Sequence, residues 1–429
     1  MRIERIYNER LDEEMLFATH PSGLKVYVFP KTGFSKYYAI YGTQYGSIDR
    51  TFVVPGDSNE TTVPDGIAHY LEHKLFEQED GGNAFDQFAE TGASSNAFTS
   101  FNLTAYLFSC TDRFYENLDI LLGFVNHPYF TKENVQKEQG IIGQEIKMYD
   151  DDPGWRVFFN ALHAMYHNNP VKIDIAGTVE SIAQITPEVL YQCYRTFYNP
   201  SNMMLVMAGD VDIERAMAYV DKHLSANAGL GEIKRPPVAE PAARVQEFIS
   251  QKLVVSRPLF QIGFKEIETG IRGRALLRKE ITTNILLTAL FGRSSAFYMS
   301  LYEEGLIDSS FGKETELEPQ YGFTLLGGES PDPEQVYARV KEYLADVMRS
   351  GLPADAVARA RKILIGANVR AFNSVEEMGN SFMRDLMNGI QPFDYAELVE
   401  EITEAELEER LRTHFDTQNS VLSVVKPND

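Results

Sequence analysis

The chain has 429 residues, 44% hydrophobic and 24% charged, which is ample apolar content for the cores of two or more domains. Its 62 acidic and 40 basic residues leave a net charge of −22, which opposes binding to nucleic-acid phosphates or anionic membranes, and no apolar run is long enough to cross a bilayer. Cys110 and Cys193 lie outside any C-x-x-C pattern, and the first ten residues carry charges with no apolar signal-peptide core, so the cytoplasm is the expected compartment.

Lys25 to Phe29 and Tyr37 to Tyr41 predict strands from their β-branched and aromatic bias. His69-Tyr70-Leu71-Glu72-His73 follows, an H-x-x-E-H pentapeptide that is the inverted form of the zinc-protease signature. On a helix the two histidines lie roughly 40° apart around the axis. Glu72 flanks the same face, within reach of a water at a metal held there. With eight histidines in the chain, such a pentapeptide would arise by chance in roughly one comparable chain in a hundred. Zinc that hydrolyses needs a third protein ligand and an open position, so the pentapeptide alone is incomplete.

The stretch Thr91 to Ser100 is rich in small residues and should run into a strand at a sheet edge, followed by a strand over Leu103 to Phe108 and a helix over Phe114 to Leu122. Thr131 to Met148 reads as a second helix, with apolar Val135, Ile141, Ile142 and Ile146, ended by Asp150-Asp151-Asp152-Pro153-Gly154. Glu138 and Glu145 are seven residues apart and share nearly one face, so geometry alone leaves either as the third ligand. His163 and His167 also have helical spacing, but no carboxylate accompanies them and their aromatic neighbours indicate a packed helix. A helix over Pro187 to Tyr198 and a strand over Met203 to Ala208 close this half. Helices and strands alternate without a regular β-α-β rhythm, which predicts an α+β fold.

Ala226 to Val245 is rich in Ala, Gly and Pro and reads as a linker, dividing the chain into 1–225, 226–245 and 246–429. Ile185-Thr186, Leu190, Arg195-Thr196, Asn202 and Leu205 recur 217 residues on as Ile402-Thr403, Leu407, Arg412-Thr413, Asn419 and Leu422, the pattern of an internal duplication. The counterpart of the His69 helix would then lie near Ile285 to Phe291, which has neither histidine nor glutamate, so only the first half is expected to hold metal.

These residues resemble the pitrilysin/insulinase family of zinc peptidases, in which H-x-x-E-H is followed by two glutamates on one later helix. The resemblance implies Zn2+ held by His69, His73 and Glu145, with Glu138 behind them orienting a histidine N–H and Glu72 as the general base. It also implies two related half-domains, each an antiparallel sheet packed with helices, the metal-bearing one first. Asn96 and Ala97 would present groups to an extended peptide that adds to the sheet edge. The family's Arg and Tyr oxyanion donors would fall on Tyr302 and on Asp308 or Ser309, so both are absent. A half-size chain of this kind is expected to pair with a homologous subunit, or with a second copy, around short or unfolded peptides. The alternative is a non-catalytic assembly or peptide-binding subunit with structural or vestigial zinc. The missing donors favour that alternative, and Glu72 speaks against it.

Overall fold

The computed structural model of the protein describes residues 2–226, 231 and 233–428. In chain order it opens with β1 (Ile3–Asn8), β2 (Glu13–Thr19), β3 (Lys25–Pro30), β4 (Tyr37–Thr43), and the short pair β5 (Thr51–Val53) and β6 (Glu60–Thr62). Next come α1 (Ile67–Leu75), α2 (Ala84–Thr91), β7 (Ser94–Thr99), β8 (Thr104–Cys110) and α3 (Phe114–Val125). The half ends with α4 (Lys132–Asp151), α5 (Pro153–Met165), α6 (Val179–Ile182), α7 (Pro187–Phe197), β9 (Met203–Gly209) and α8 (Ile213–His223). The second half holds β10 (Phe248–Leu253), β11 (Leu259–Lys265), α9 (Gly273–Phe291), α10 (Ala296–Glu303), β12 (Gly312–Leu317) and β13 (Gly322–Glu329). It closes with α11 (Pro333–Ser350), α12 (Ala354–Ala371), α13 (Val375–Met387), α14 (Tyr395–Glu401), α15 (Glu404–His414) and β14 (Val421–Pro427). None of the described helices is long and apolar enough to cross a membrane.

The fold is α+β, with one large sheet in each half. The first runs β1-β2-β3-β9-β4-β8-β7 and the second β10-β14-β11-β13-β12. Strand by strand, five positions correspond. β3 pairs parallel with β9 as β10 does with β14, and the remaining neighbours in both series are antiparallel. Each sheet is therefore antiparallel except for one parallel pair at the same place. The first sheet is also longer by the β1–β2 hairpin, which has no partner in the second series. Caps repeat as well. The Thr186 hydroxyl accepts from the Val189 N–H to start α7, and Thr403, 217 residues later, caps α15 in the same way through the Glu406 N–H.

Two compact units emerge, and they cut the chain differently from the linear division at 226–245. The first comprises 1–146, 173–237 and 371–387, and the second 147–172, 238–370 and 388–429. Each sheet is covered by a helix from the other half of the sequence. α5 lies on β10, β11 and β14, while α13 lies on β4 and β9. The α13 packing is close enough to require glycine: a Cβ at Gly379 would stand 2.3 Å from the Tyr38 ring. The described part of the expected linker is tied down on both sides of Pro237. The Lys234 carbonyl accepts from Val53 N–H and Arg235 pairs with Asp49 in the first unit, whereas Glu240 pairs with Lys265 and accepts from three successive N–H groups, His167 to Asn169, in the second. Residues 227–230 and 232 of that stretch lie outside the described residues.

Burial follows the strand alternation and helix faces. Val26, Val28, Ile40, Tyr106 and Leu205 form the heart of the first unit, and Ile262, Phe264, Leu286, Leu326 and Val424 that of the second. Each such side chain stabilises its unit by about 1.5–3 kcal/mol through apolar burial.

Candidate metal centre

α1 is buried on nearly every face, including the ionisable side chains His69, Glu72 and Lys74. Burying such groups is costly unless each meets a partner, so their surroundings define the site. The helix starts at Gly66, whose φ of 88° is left-handed and where a Cβ would stand 2.3 Å from the Ala176 carbonyl oxygen. Only glycine lets α1 begin there. The helix is tied to α4 by the Tyr70 hydroxyl, which donates to the Val135 carbonyl.

α4 brings both glutamates to α1. His69 Nε2 lies 3.6 Å from Glu145 Oε1 and His73 Nε2 lies 3.6 Å from Glu145 Oε2. The two imidazole rings meet edge to face with centroids 4.6 Å apart. One ligand atom from each of His69, His73 and Glu145 lies within 4.8 Å of the others, and no other group of three among the described residues has such spacing. Bonds of about 2.0–2.2 Å to a tetrahedral zinc put ligand atoms roughly 3.3–3.5 Å apart, and each histidine's 3.6 Å approach to Glu145 is close to that spacing. Glu138 approaches from behind, its Oε1 accepting from His73 Nδ1 at 3.1 Å, which leaves Nε2 of that ring turned to Glu145. Fully buried Lys74 lies 2.6 Å from Glu77 Oε2 and 3.9 Å from Glu138 Oε2, balancing the carboxylate behind His73.

The electrostatics separate these groups. Burial, with the neighbouring His73, pushes His69 down to about 4, so its imidazole is neutral as a metal ligand must be. Burial works against protonation of His73 too, but the Glu138 hydrogen bond and the surrounding carboxylates outweigh it and raise that pKa. Glu138 shows the reciprocal effect: burial would raise it, and His73 and Lys74 bring it below the usual carboxylate range. Glu72 is raised to about 6 by burial, although its hydrogen bond from Thr99 opposes the shift. That bond, Thr99 Oγ1 to Glu72 Oε2 at 2.8 Å, is the one hydrogen bond to this carboxylate among the described residues.

The stretch Thr91 to Ser100 runs into an edge strand. Thr91 ends α2, Gly92 turns in the left-handed region, and β7 starts at Ser94 as the last strand of its sheet. Asn96 is exposed and Ala97 half-buried on this edge, and the Asn96 amide oxygen already accepts from the Ala97 N–H at 2.9 Å. His163 and His167 do not form a pair on one helix, because α5 ends at Met165, ahead of His167. Tyr302 is exposed on α10, stacked on Tyr298, and Asp308 is engaged by Arg257 and by the Ser310 hydroxyl and N–H. Sequence reasoning passed over Thr99 and Lys74. Lys74 directly follows His73 on a helix buried all round, a signal that it needed an anionic partner.

Residues 50–179 match the family model "Insulinase (Peptidase family M16)" and residues 184–364 match "Peptidase M16 inactive domain". The chain is 45% identical over 405 residues to the uncharacterized zinc protease YmfH of Bacillus subtilis, covering 94% of each. Its fold is similar to that of an M16-like protein from Alicyclobacillus acidocaldarius, with a TM-score of 0.92, 36% identity and coverage of 97% and 99% of the two chains. Pitrilysin shares the fold at a TM-score of 0.73 and 16% identity, the match covering 99% of this chain but 46% of pitrilysin. The chain belongs to peptidase family M16, the insulinase and pitrilysin family, as a chain of about half pitrilysin's length.

Proposed function

We propose that this protein is a zinc metallopeptidase acting on short or unfolded peptides, in a chamber completed by a second chain. One observation carries the reading: ligand atoms of two imidazoles and a carboxylate gather within 4.8 Å of one another beside a further carboxylate, Glu72, that stays out of that group. A purely structural metal has no use for such a group.

His69, His73 and Glu145 would hold the zinc, with Glu138 fixing the His73 ring. When bound, zinc supplies a Lewis acid that polarises a carbonyl and lowers the pKa of a water towards ~7. Glu72 then takes the proton of the attacking water on Oε1, the oxygen that Thr99 does not engage, and delivers it to the leaving amine. The β7 edge, with Asn96 and Ala97, would hold the peptide by main-chain pairing.

Tyr302, Asp308 and Ser309 do not match the Arg and Tyr donors that stabilise the oxyanion, and a second copy would lack them too, so a homologous subunit that carries the pair would bring them. The same three residues favour a second reading, a non-catalytic assembly or peptide-binding subunit that keeps its zinc.

The deciding experiment follows cleavage of a quenched fluorescent peptide by the zinc-loaded chain, alone and mixed with a companion bearing the Arg/Tyr pair, with and without chelator. The peptidase reading expects chelator-sensitive cleavage that Glu72→Gln lowers about 10²- to 10⁴-fold while zinc stays bound. Undiminished cleavage by that variant overturns the reading. Full zinc occupancy without cleavage in any mixture supports the assembly subunit instead.

A further inference from the structure

The Glu72 carboxylate is buried at the end of a flexible side chain, and its single hydrogen bond among the described residues comes from the last residue of the edge strand, Thr99. The β7–β8 register sets Thr99 opposite Thr104. Thr104 donates its own proton to the Tyr45 carbonyl at 2.8 Å, and its oxygen lies 3.4 Å from the Thr99 oxygen. A threonine hydroxyl has one proton to give, and the 2.8 Å contact to Glu72 is the shorter. Backbone pairing therefore places the Thr99 oxygen, and that oxygen places the carboxylate.

Building on the peptidase reading, we infer that Thr99 is the positioning residue of the Glu72 base, latching it to the strand whose open edge would carry the peptide. Ala97 lies two residues before Thr99, so the two side chains stand on the same face of β7. A peptide laid on this strand is thus held by the same rigid element that aims the base. The Thr99 hydroxyl meets Glu72 and Thr104, so its effect on the reaction would pass through Glu72. Its loss should slow proton transfer without weakening peptide or zinc binding.

The test uses the full-length, zinc-loaded chain with its companion, comparing wild type, Thr99→Val, which keeps the shape and removes the hydroxyl, and Thr99→Ser, which restores it. Thr99→Val should lower kcat about 10- to 100-fold, the effect of losing one hydrogen bond to a charged group, with KM within about twofold and zinc content unchanged. Thr99→Ser should recover most of the loss. In a Glu72→Gln background the valine should cost nothing further. Crystals of the zinc-loaded variants give a readout that needs no turnover: the Glu72 carboxylate should leave its position in Thr99→Val and keep it in Thr99→Ser. A wild-type kcat in Thr99→Val, or an unmoved carboxylate, overturns the inference. If zinc-loaded wild type cleaves nothing with any companion, the peptidase reading fails, and the carboxylate position still decides the role of Thr99.

Discussion

The two units build the same five-strand series and fill one equivalent place in opposite ways. In the first unit α1 buries His69, Glu72 and Lys74, each met by a partner from α4, β7 or the turn that follows. In the second, the end of α9 ahead of β12 buries Ile285, Leu286, Leu287 and Leu290, with no ionisable side chain from 285 to 291. Topology thus follows from what the halves share, strand alternation and threonine caps, while the gathered metal-ligand side chains belong to the first unit alone among the described residues. The second unit has buried charges as well, but they are spent on one another. Glu266 lies 2.7 Å from Arg410, 3.1 Å from Lys279 and 3.5 Å from His414, a lattice tying strand to helices with no ligand spacing.

If only the first unit's helix is built for a metal, the largest contrast comes from removing a ligand. His73→Ala should abolish high-affinity zinc binding in equilibrium dialysis and leave hydrogen-exchange protection of α9 unchanged. In the converse change, Leu286→Ala should destabilise the second unit by about 2–5 kcal/mol, read as faster amide exchange across α9, with zinc affinity intact. Altered zinc binding in that variant would mean that the units are not divided as described. Glu138→Gln is subtler: it keeps the volume and removes the anion behind His73, so zinc affinity should fall about 10- to 100-fold by competition with a chelating dye. An equal loss in Glu138→Gln and Glu145→Gln would erase the distinction between ligand and support.

The gentlest contrast is acid titration. Burial alone would raise Glu266, but Arg410, His414 and Lys279 bring it down to about 2, against ~4.3 in an unfolded chain. Its folded pKa is depressed, so its stabilisation is whole above about pH 4.5 and is lost as the pH falls towards 2. His414 is buried and lowered well below its ordinary value, chiefly by burial and then by Arg410, so its loss sets in below about pH 6.5. Hydrogen exchange in α15 should quicken over that range, and protection constant down to pH 3 would count against the network.

How much of this was legible in the sequence depended on range. The face shared by His69 and His73 was readable because four residues make about one helical turn. The choice between Glu138 and Glu145 was not, since seven residues return to nearly the same face; their different approaches to His73, at Nδ1 and at Nε2, depend on how α4 packs on α1. The aromatic neighbours of His163 indicated that α5 is a packed helix without saying which sheet it would cover. The β1–β2 hairpin went unseen because Glu4, Arg5, Glu13 and Glu14 blur its alternation. Thr99 meets Glu72 across 27 positions, through a register that no local pattern encodes.

The most direct test is metal content after zinc loading and exhaustive dialysis, measured on wild type and Glu145→Gln together. Wild type should retain about one zinc per chain, matching the one three-residue ligand group among the described residues, and Glu145→Gln should lose most of it. A wild-type chain that keeps no zinc, or a Glu145→Gln chain that holds it as tightly as wild type, would contradict the metal centre described here.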